Sequence, residues 1–465
     1  MNMKISRAPR TPFIVSVILA ALLTACGGGG GHGLPSGTIT SITVSPTTTT
    51  LRLTGGRTQA LIATGLYSNS ATQDLTNSVT WTTSNSNNVA ITSNVVSAGP
   101  SCTAPPCSAT ITATMTTPSG SVAGTATVTI RPDAFTLAAT GDPLATQQWH
   151  LRNTAQTAYS DVAGTSGVDI NVEPVYANTT ATANICGVGA GCTGYGVKVA
   201  VVDTGLEIAH EDLAGNVIRN GSWNFNNNTT NPTNTATTGD HGTSVAGLIA
   251  SQAYNGRGGM GVAPEASLKG FNFLESTQTS AQHIQSLGGS TSNPNSSDVW
   301  IFNQSYGYST SNSLDPALPQ FSLVASQMSY GASTLRGGNG ALYVKAAGNG
   351  FQDNGGVGAC GFANAIGISC ENASFDPLNT EPYNIVVGAL NADGEKSSYS
   401  TTGSALWVSA PGGEFGGEVT PHAGAGAGDV DVELGELAES AGAGLVGAED
   451  GADGVTAEGG LDAVG

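Results

Sequence analysis

Near the middle of the chain, residues 239–251 read GDHGTSVAGLIAS, and the interpretation of the whole sequence starts from this stretch. His241 is followed by Gly-Thr and then by small and apolar residues, which predicts a buried helix with the histidine at its amino end. The positive end of the helix dipole disfavours a protonated imidazole, so the ring is ready to accept a proton as a general base. A lone histidine in this position is more often structural than catalytic, so its role depends on what accompanies it.

Four apolar runs predict the strands of a parallel sheet. They cover residues 197–202, 299–303, 341–345 and 384–389, with helical patterns between them. Such runs are expected of strands buried on both faces, so the predicted fold class is α/β with a doubly wound, mostly parallel sheet. Reacting groups collect at the carboxyl ends of the strands in such a sheet. The polar and glycine residues found there are Asp203, Ser305, Tyr306, Gly307 and Asn349.

Asp203, His241 and Asn349 together suit acyl transfer. The histidine would accept the proton of a nucleophile, a buried carboxylate would hold the ring in the required tautomer, and an amide would donate to the oxyanion. The order of aspartate before histidine along the chain is that of subtilisin.

Four motifs in this order resemble the subtilase family of serine proteases. They are DTG at 203–205, HGT at 241–243, SYG at 305–307 and AAGN at 346–349. The stretches DP at 142–143, QQWHL at 147–151 and GSWNF at 221–225 are similar to the kexin and furin branch. The resemblance covers about residues 141–417 and implies a subtilisin-like peptidase domain.

The resemblance assigns roles to individual residues. It implies that Asp203 orients His241, that His241 is the base and later the acid, and that Asn349 donates to the oxyanion. Ser305, Tyr306 and Gly307 would pair with an extended substrate. Asp376 would favour a basic side chain at P1, the substrate residue before the scissile bond, although a surface aspartate before Pro377 is an equal alternative. Thr204 replaces a second acid of that branch, so a preference for paired basic residues is not carried over.

The same resemblance suggests a calcium site, because an all-oxygen shell suits Ca²⁺. Side-chain oxygens would come from Asp142, Asp212 and Asn255, and main-chain carbonyls from Gln252, Arg257 and Gly259. The alternative is a turn that uses glycine for its backbone angles.

The nucleophile of the family is missing from the expected place. A Gly-Thr-Ser motif should open a later helix at about residues 435–445, and none is present there. Of the 45 residues from Pro421 onward, 37 are Gly, Ala, Val, Asp or Glu, whose codons all begin with G. We interpret residues 418–465 as a low-complexity acidic tail read out of frame, after a frameshift between about Ala410 and Pro421. A genuine acidic disordered tail is the alternative.

The amino-terminal residues predict export. Residues 1–25 have a basic start and an apolar stretch too short to span a bilayer permanently. LTAC at 23–26 resembles the bacterial lipobox, which implies a lipoprotein signal peptide and a lipidated Cys26; an ordinary cleaved signal is the alternative. Residues 26–37 would form a flexible tether.

Residues 38–131 predict a small β-sandwich made of short strands separated by turns. The predicted strands cover 39–44, 59–63, 79–82, 88–91, 109–113 and 124–130. The region resembles bacterial immunoglobulin-like domains of the invasin and intimin type, in which Trp81 would be a core residue. The resemblance implies a spacer or an adhesive module.

Composition and cysteine spacing agree with export. Only 10% of residues are charged, and the net charge of −19 argues against a nucleic-acid partner. Residues 421–465 contain ten acidic residues and no lysine or arginine, so much of this charge belongs to the tail. Six cysteines form three closely spaced pairs that predict disulfides in an oxidising compartment, with six unpaired thiols as the alternative. The pairs are Cys102 with Cys107, Cys186 with Cys192, and Cys360 with Cys370.

The sequence therefore predicts a serine-type endopeptidase that acts on protein or peptide substrates and is held at a bacterial membrane by a lipid anchor. The nucleophilic serine is absent from this copy. A catalytically inactive surface binding or adhesion lipoprotein is the alternative.

Overall fold

The computed structural model describes part of the chain. The described residues are 37–53, 57–157, 163–177, 191–234, 240–308, 316, 318–351 and 366–414. The predicted signal peptide, Cys26, Cys186, Cys360 and the tail 418–465 lie outside them, as do all but the last residue of the predicted tether. In these ranges, none of the helices has the length and apolar character needed to cross a membrane.

The described residues of the amino-terminal region form ten strands. They are β1 (Ile39–Ser45), β2 (Thr48–Arg52), β3 (Thr58–Ala60), β4 (Ile62–Tyr67), β5 (Thr72–Asp74), β6 (Thr80–Thr83), β7 (Val89–Thr92), β8 (Val95–Ala98), β9 (Cys107–Thr117) and β10 (Gly120–Arg131). Three sheets have the strand orders β1-β4-β5, β2-β10-β9-β6 and β3-β8-β7. All pairs are antiparallel except β2 with β10. The strand-rich architecture agrees with the prediction, while the immunoglobulin-like relationship stays a prediction.

Alternate residues of these strands fill a common core that includes Val44, Ile111 and Val128. Trp81 packs against this core, and its indole nitrogen donates to the carbonyl of Thr76 at 3.0 Å. A disulfide joins Cys102 to Cys107. Cys192 and Cys370 are also disulfide-bonded.

The sequence interpretation missed strand β2 because its residues do not alternate between buried and exposed. All five are buried, and Thr48 donates to the carbonyl of Glu211 in the second domain. Both faces of β2 are therefore covered, which removes the period of two expected of a half-exposed strand.

The second domain is built on a parallel sheet of six strands. They are β11 (Lys198–Val202), β12 (Ser267–Phe271), β13 (Ile301–Gln304), β14 (Leu342–Ala346), β15 (Asn384–Leu390) and β16 (Val408–Pro411). The order across the sheet is β12-β11-β13-β14-β15-β16, and every neighbouring pair is parallel. The predicted α/β class is confirmed, and four of the six strands lie within one or two residues of the predicted runs.

Helices cover both faces of this sheet. The described helices are α1 (Glu173–Tyr176), α2 (His241–Ala250), α3 (Ser280–Ser286) and α4 (Pro319–Gly338). Val199 and Val201 of β11 pack with Ala246 of α2 on one face, and Ala200 and Val202 pack with the cluster that α4 enters on the other. Side chains of a strand alternate between faces, so one apolar strand supplies two cores.

Charged side chains explain why β12 was not recognised. Lys269 interrupts its apolar pattern, yet the side chain is buried and its ammonium binds Asp298 Oδ1 at 2.6 Å and the carbonyl of Asn295 at 2.7 Å. A buried lysine whose ammonium reaches a carboxylate and a carbonyl can occupy a strand interior.

The two regions meet around the buried carboxylate of Glu265. Arg131 of β10 forms an ion pair with it, and Arg57 Nη1 lies 3.2 Å from its Oε1. The side chains of Arg131 and Glu265 are only 1% and 3% exposed. Burial lowers the pKa of the Arg131 guanidinium, and the charge of Glu265 raises it again. The carboxylate is therefore the shared counterion of arginines from the amino-terminal sheets.

We expect Glu265→Gln to lower the free energy of unfolding by about 3–5 kcal/mol, because it leaves Arg131 buried without its counterion. Urea denaturation measures this change. The matched control is Arg219→Gln, which removes the exposed pair between the same two regions, Arg219 with Asp74 at 3.2 Å. The control should change stability by less than about 1 kcal/mol. Equal effects of the two variants would show that the buried cluster does not join the regions.

Candidate active site

Asp203 lies immediately after strand β11, and its side chain is fully buried. Its Oδ1 accepts hydrogen bonds from His241 Nδ1 at 2.7 Å and from the backbone N–H of Thr204 at 2.7 Å. The predicted contact between the carboxylate and the imidazole is thus present in the structure. A carboxylate bound to Nδ1 fixes the tautomer in which Nε2 can act as the base.

His241 is the first residue of helix α2, as the sequence predicted, and 41% of its side chain is exposed. The start of the helix is tied to the loop after β11 by two bonds. Gly242 N–H donates to Thr204 Oγ1 at 3.1 Å, and Glu207 N–H donates to Thr243 Oγ1 at 3.0 Å. The two residues that follow His241 are therefore fixed to the loop that carries Asp203.

Glycine is required at position 242 because the start of α2 approaches the loop after β11 closely. A Cβ atom there would lie 2.1 Å from the carbonyl oxygen of Gly205 and 2.9 Å from the Cβ of Asp203. Such contacts would push α2 away from β11, and the hydrogen bond between His241 and Asp203 would be lost with it.

Asn349 follows strand β14 at the same edge of the sheet, and its side chain is exposed. The loop that carries it is braced by Thr401, whose N–H donates to the carbonyl of Gly348 at 2.9 Å and whose Oγ1 accepts from Gly350 N–H at 2.7 Å. Gly348 has φ of +109°, a conformation that favours glycine. The oxyanion role of Asn349 stays a prediction.

Ser305, Tyr306 and Gly307 follow strand β13, which is the sheet neighbour of β14. All three are partly exposed. Because β11, β13 and β14 are parallel neighbours, their carboxyl ends lie at one edge of the sheet. Asp203, Asn349 and the segment 305–307 all follow these strands, and His241 begins the helix that contacts β11.

An ion pair that the sequence interpretation missed lies under the segment 305–307. Lys345 Nζ is 2.9 Å from Asp376 Oδ2, and both side chains are buried. The lysine lies in the apolar run LYVKA of β14, and a charge in such a run was the signal that could have pointed to it. Asp376 is therefore a buried residue and not a surface one.

His283 of helix α3 supports the same segment from below. Its Nε2 shares a hydrogen bond of 2.9 Å with Tyr306 Oη, and its ring stacks on Phe273 with centroids 4.4 Å apart. Burial lowers the pKa of His283 to about 3, and the charge of Lys345 lowers it further while Asp376 opposes this. Burial also raises the pKa of Tyr306 well above its usual range. Both rings are thus neutral hydrogen-bonding groups.

Three of the predicted calcium ligands come together. Asp142 accepts backbone N–H bonds from Tyr254 at 2.8 Å and Gly256 at 2.9 Å, and Asn255 joins Asp142 to Asp212 through its own N–H and its side-chain amide. Burial raises the pKa of Asp142 to about 7 and that of Asp212 well above its usual range, and the nearby charge of Asp142 adds to the second effect.

The other predicted ligands flank this pair of carboxylates. The N–H of Gln252 donates to the carbonyl of Asp212 at 2.9 Å. The buried Oε1 of Gln252 has no hydrogen-bond partner among the described residues. Arg257 N–H donates to Asn255 Oδ1 at 2.9 Å, and Gly259 packs against the side chain of Gln148. No group of three or more His, Cys, Asp or Glu side chains suited to a metal occurs within the described ranges.

Comparison with known proteins finds one protein family and several proteases similar to this chain. The model of the subtilase family matches residues 194–443, which extends past the boundary predicted at 417. The chain is 43% identical over 284 residues to the Aeromonas extracellular serine protease of Aeromonas sobria, covering 59% of this chain and 42% of that protein. It is 32% identical over 228 residues to human (Homo sapiens) furin, covering 48% of this chain and 25% of furin.

The solved structures agree in fold. The crystal structure of the serine protease of Aeromonas sobria has a TM-score of 0.51 and 38% sequence identity, and the match covers 59% of this chain and 44% of that one. The same protease has been crystallised in complex with its chaperone, with a TM-score of 0.51 and 37% identity. This chain spans about two fifths of the length of the Aeromonas proteases it matches.

The buried His283 generates a prediction about pH. Because its folded-state pKa of about 3 lies below its ordinary value of 6.5, the unfolded chain binds a proton that the folded chain does not in that window. The stability contribution of neutral His283 is therefore present above pH 6.5 and is lost as the pH falls, by up to about 1.4 kcal/mol per pH unit. Urea denaturation of the wild type and of His283→Gln measures the slope, which should be shallower in the variant. Parallel slopes would contradict the prediction.

Proposed function

Because the chain belongs to the subtilase family, we propose that it is a serine-type endopeptidase that hydrolyses peptide bonds through an acyl-enzyme. The observation that carries this proposal is the 2.7 Å hydrogen bond between fully buried Asp203 and His241. The fold is the subtilisin-like α/β fold, and relatives that share it are proteases by name.

Asp203 and His241 would act as an orienting carboxylate and a general base. The buried carboxylate accepts a hydrogen bond from Nδ1–H, so it stabilises the imidazolium that forms when Nε2 takes the proton of the nucleophile. His241 then returns that proton to the leaving amine. Partial exposure of the ring supports this role, because the base has to meet substrate and nucleophile.

Asn349 and the segment 305–307 would position the substrate. The amide of Asn349 would donate to the oxyanion of the tetrahedral intermediate, a contribution that in subtilisin amounts to about 2.7–4 kcal/mol of barrier. Ser305 and Gly307 follow strand β13, so an extended peptide could add its main chain beside them by hydrogen bonds.

The nucleophile would come from a Gly-Thr-Ser motif that this sequence does not contain after strand β16. The change of composition after residue 420 supports a shift of reading frame in that region. A nucleophilic serine is indispensable in this chemistry, since its loss costs subtilisin about 2 × 10⁶ in turnover. The proposed hydrolysis therefore depends on the protein made when the reading frame is restored.

Sequencing the gene downstream of codon 410 and labelling the protein with a fluorophosphonate test this proposal. We expect another frame to encode Gly-Thr-Ser nearby, and the protein with that frame restored to be labelled at that serine. His241→Ala should abolish the labelling, because the serine then lacks its base.

In cells the labelled protein should be in the membrane fraction, because a lipid on Cys26 would anchor it there. Cys26→Ser should release the protein from that fraction, because it removes the site of the lipid.

The opposite result would favour the inactive surface protein. An uninterrupted frame with no nearby Gly-Thr-Ser, together with no labelling and retained binding of a partner, would contradict the protease assignment. A protein that is labelled at a serine but remains so after His241→Ala would keep the enzyme and overturn the role of the histidine.

Calcium would bind between Asp142 and Asp212. The residues fit such an ion, because two neighbouring buried carboxylates and the Oε1 of Gln252, which has no hydrogen-bond partner in the described part of the chain, are hard oxygen ligands. Asn255 lies between the carboxylates, so its amide oxygen could reach the ion by rotation of the side chain. The ion would stabilise the loop 252–259 and takes no part in the reaction.

We expect calcium to raise the melting temperature relative to a sample with chelator, and Asp212→Asn to remove this response. At 100 times the dissociation constant, a ligand that binds only the folded state adds about 2.7 kcal/mol. Magnesium is the control and should act more weakly, because it requires a tighter octahedral shell. Identical melting curves with calcium and with chelator would contradict a calcium site.

A further inference from the structure

We infer that Lys345 takes the place that a basic substrate side chain would occupy at Asp376, so the site favours an uncharged residue at P1. This inference rests on the proposed function, because it assumes that substrate lies along the segment 305–307. It changes the role expected of Asp376 from recognition of substrate to support of the protein's own backbone.

Lys345 has two polar partners among the described residues. Its Nζ lies 2.9 Å from Asp376 Oδ2 and donates to the carbonyl of Tyr306 at 2.7 Å. The lysine side chain is 0% exposed and that of Asp376 is 4% exposed. The lysine therefore ties the carboxylate and the substrate-binding segment together from the interior of the sheet.

The carboxylate of Asp376 has further donors of its own. Oδ2 also accepts the N–H of Tyr308 at 3.2 Å, and Oδ1 accepts the N–H of Leu378 at 2.9 Å. A carboxylate offers about four acceptor positions in total. With three donors in place, one of them a cation, Asp376 has little capacity left for a ligand and no uncompensated charge to attract one.

The ion pair lies directly beneath the segment that would hold substrate. A Cβ atom on Gly307 would be 3.1 Å from Lys345 Nζ and 3.2 Å from Asp376 Oδ2. Lys345 is also the register partner of Gln304, the last residue of β13. A substrate side chain entering beside Gly307 would therefore approach the ammonium and the carboxylate together.

A second cation at this place would meet repulsion. Charges in a site of low dielectric interact far more strongly than in water, and like charges placed together are strongly disfavoured. A lysine at P1 could reach Asp376 only by displacing Lys345, and that would leave a buried ammonium without a partner. An uncharged side chain of the same length faces neither cost.

Binding of three short peptides to the full-length protein tests the inference. The probes are acetyl-Ala-Ala-Pro ending in norleucine, lysine or glutamate, and the lysine side chain is that of norleucine extended by a terminal ammonium group. We expect the wild type to bind the norleucine peptide about tenfold more tightly than the lysine peptide. Lys345→Met should reverse this preference, since it frees the carboxylate. Asp376→Asn should instead improve binding of the glutamate peptide by about tenfold, since it frees the ammonium.

The double variant Lys345→Met/Asp376→Asn is the matched control. It removes both charges of this ion pair, so it should fold and prefer norleucine as the wild type does. Circular dichroism checks the fold of each variant, and the Asp376→Asn result remains decisive if Lys345→Met does not fold. Tighter binding of the lysine peptide by the wild type would overturn the inference and leave the proposed function intact. Failure of every variant to bind any peptide would overturn both.

Discussion

The hydrogen bond between Asp203 and His241 is the constraint on which the rest of the peptidase domain depends. It joins the end of a central strand to the first residue of a helix on one face of the sheet. Such a bond is short only if the strand and the helix start are held within fractions of an ångström. Gly242 allows the close approach because it has no side chain. The hydroxyl groups of Thr204 and Thr243 each accept a hydrogen bond from the backbone of the facing segment. The apolar packing of β11 against α2 stabilises the contact between strand and helix, and these polar contacts fix the position of the helix start.

A second constraint on the structure comes from the two buried lysines of the parallel sheet, which need carboxylate partners. Lysines occur inside strands β12 and β14, where an unpaired ammonium is costly, and each is matched by a carboxylate from a loop. Lys269 is matched by Asp298 and Lys345 by Asp376. The loops that bring these acids are thereby fixed in position against the strands. Charge pairing of this kind orders the loops that form the site, and it also decides which charges remain for a substrate.

Strand periodicity and four short motifs were enough to predict the parallel sheet, the start of α2 and the contact between Asp203 and His241. Local patterns carry these features, because apolar runs and glycine turns depend on neighbours in the sequence. The interpretation failed where tertiary contacts override the local pattern. Strand β2 is buried on both faces by contact with another domain, and β12 contains a lysine whose partner lies far along the chain. The pairing of Lys345 with Asp376 is of the same kind, since nothing near either residue in sequence identifies the other.

The amino-terminal region contributes to the support of helix α2, because Arg57 contacts the residue that holds the carboxyl end of this helix. Arg57 donates to Asn216 Oδ1 at 2.9 Å, and the amide of Asn216 donates to the carbonyl of Ala250, the last residue of α2, at 2.8 Å. The same amide also donates to the carbonyl of Pro264, next to the buried Glu265. The carboxyl end of the helix that presents His241 is thus braced by a residue that the amino-terminal region itself holds. A buried charge cluster costs desolvation that an apolar contact would avoid, but it fixes one orientation of the amino-terminal region and, through Asn216, the position of helix α2.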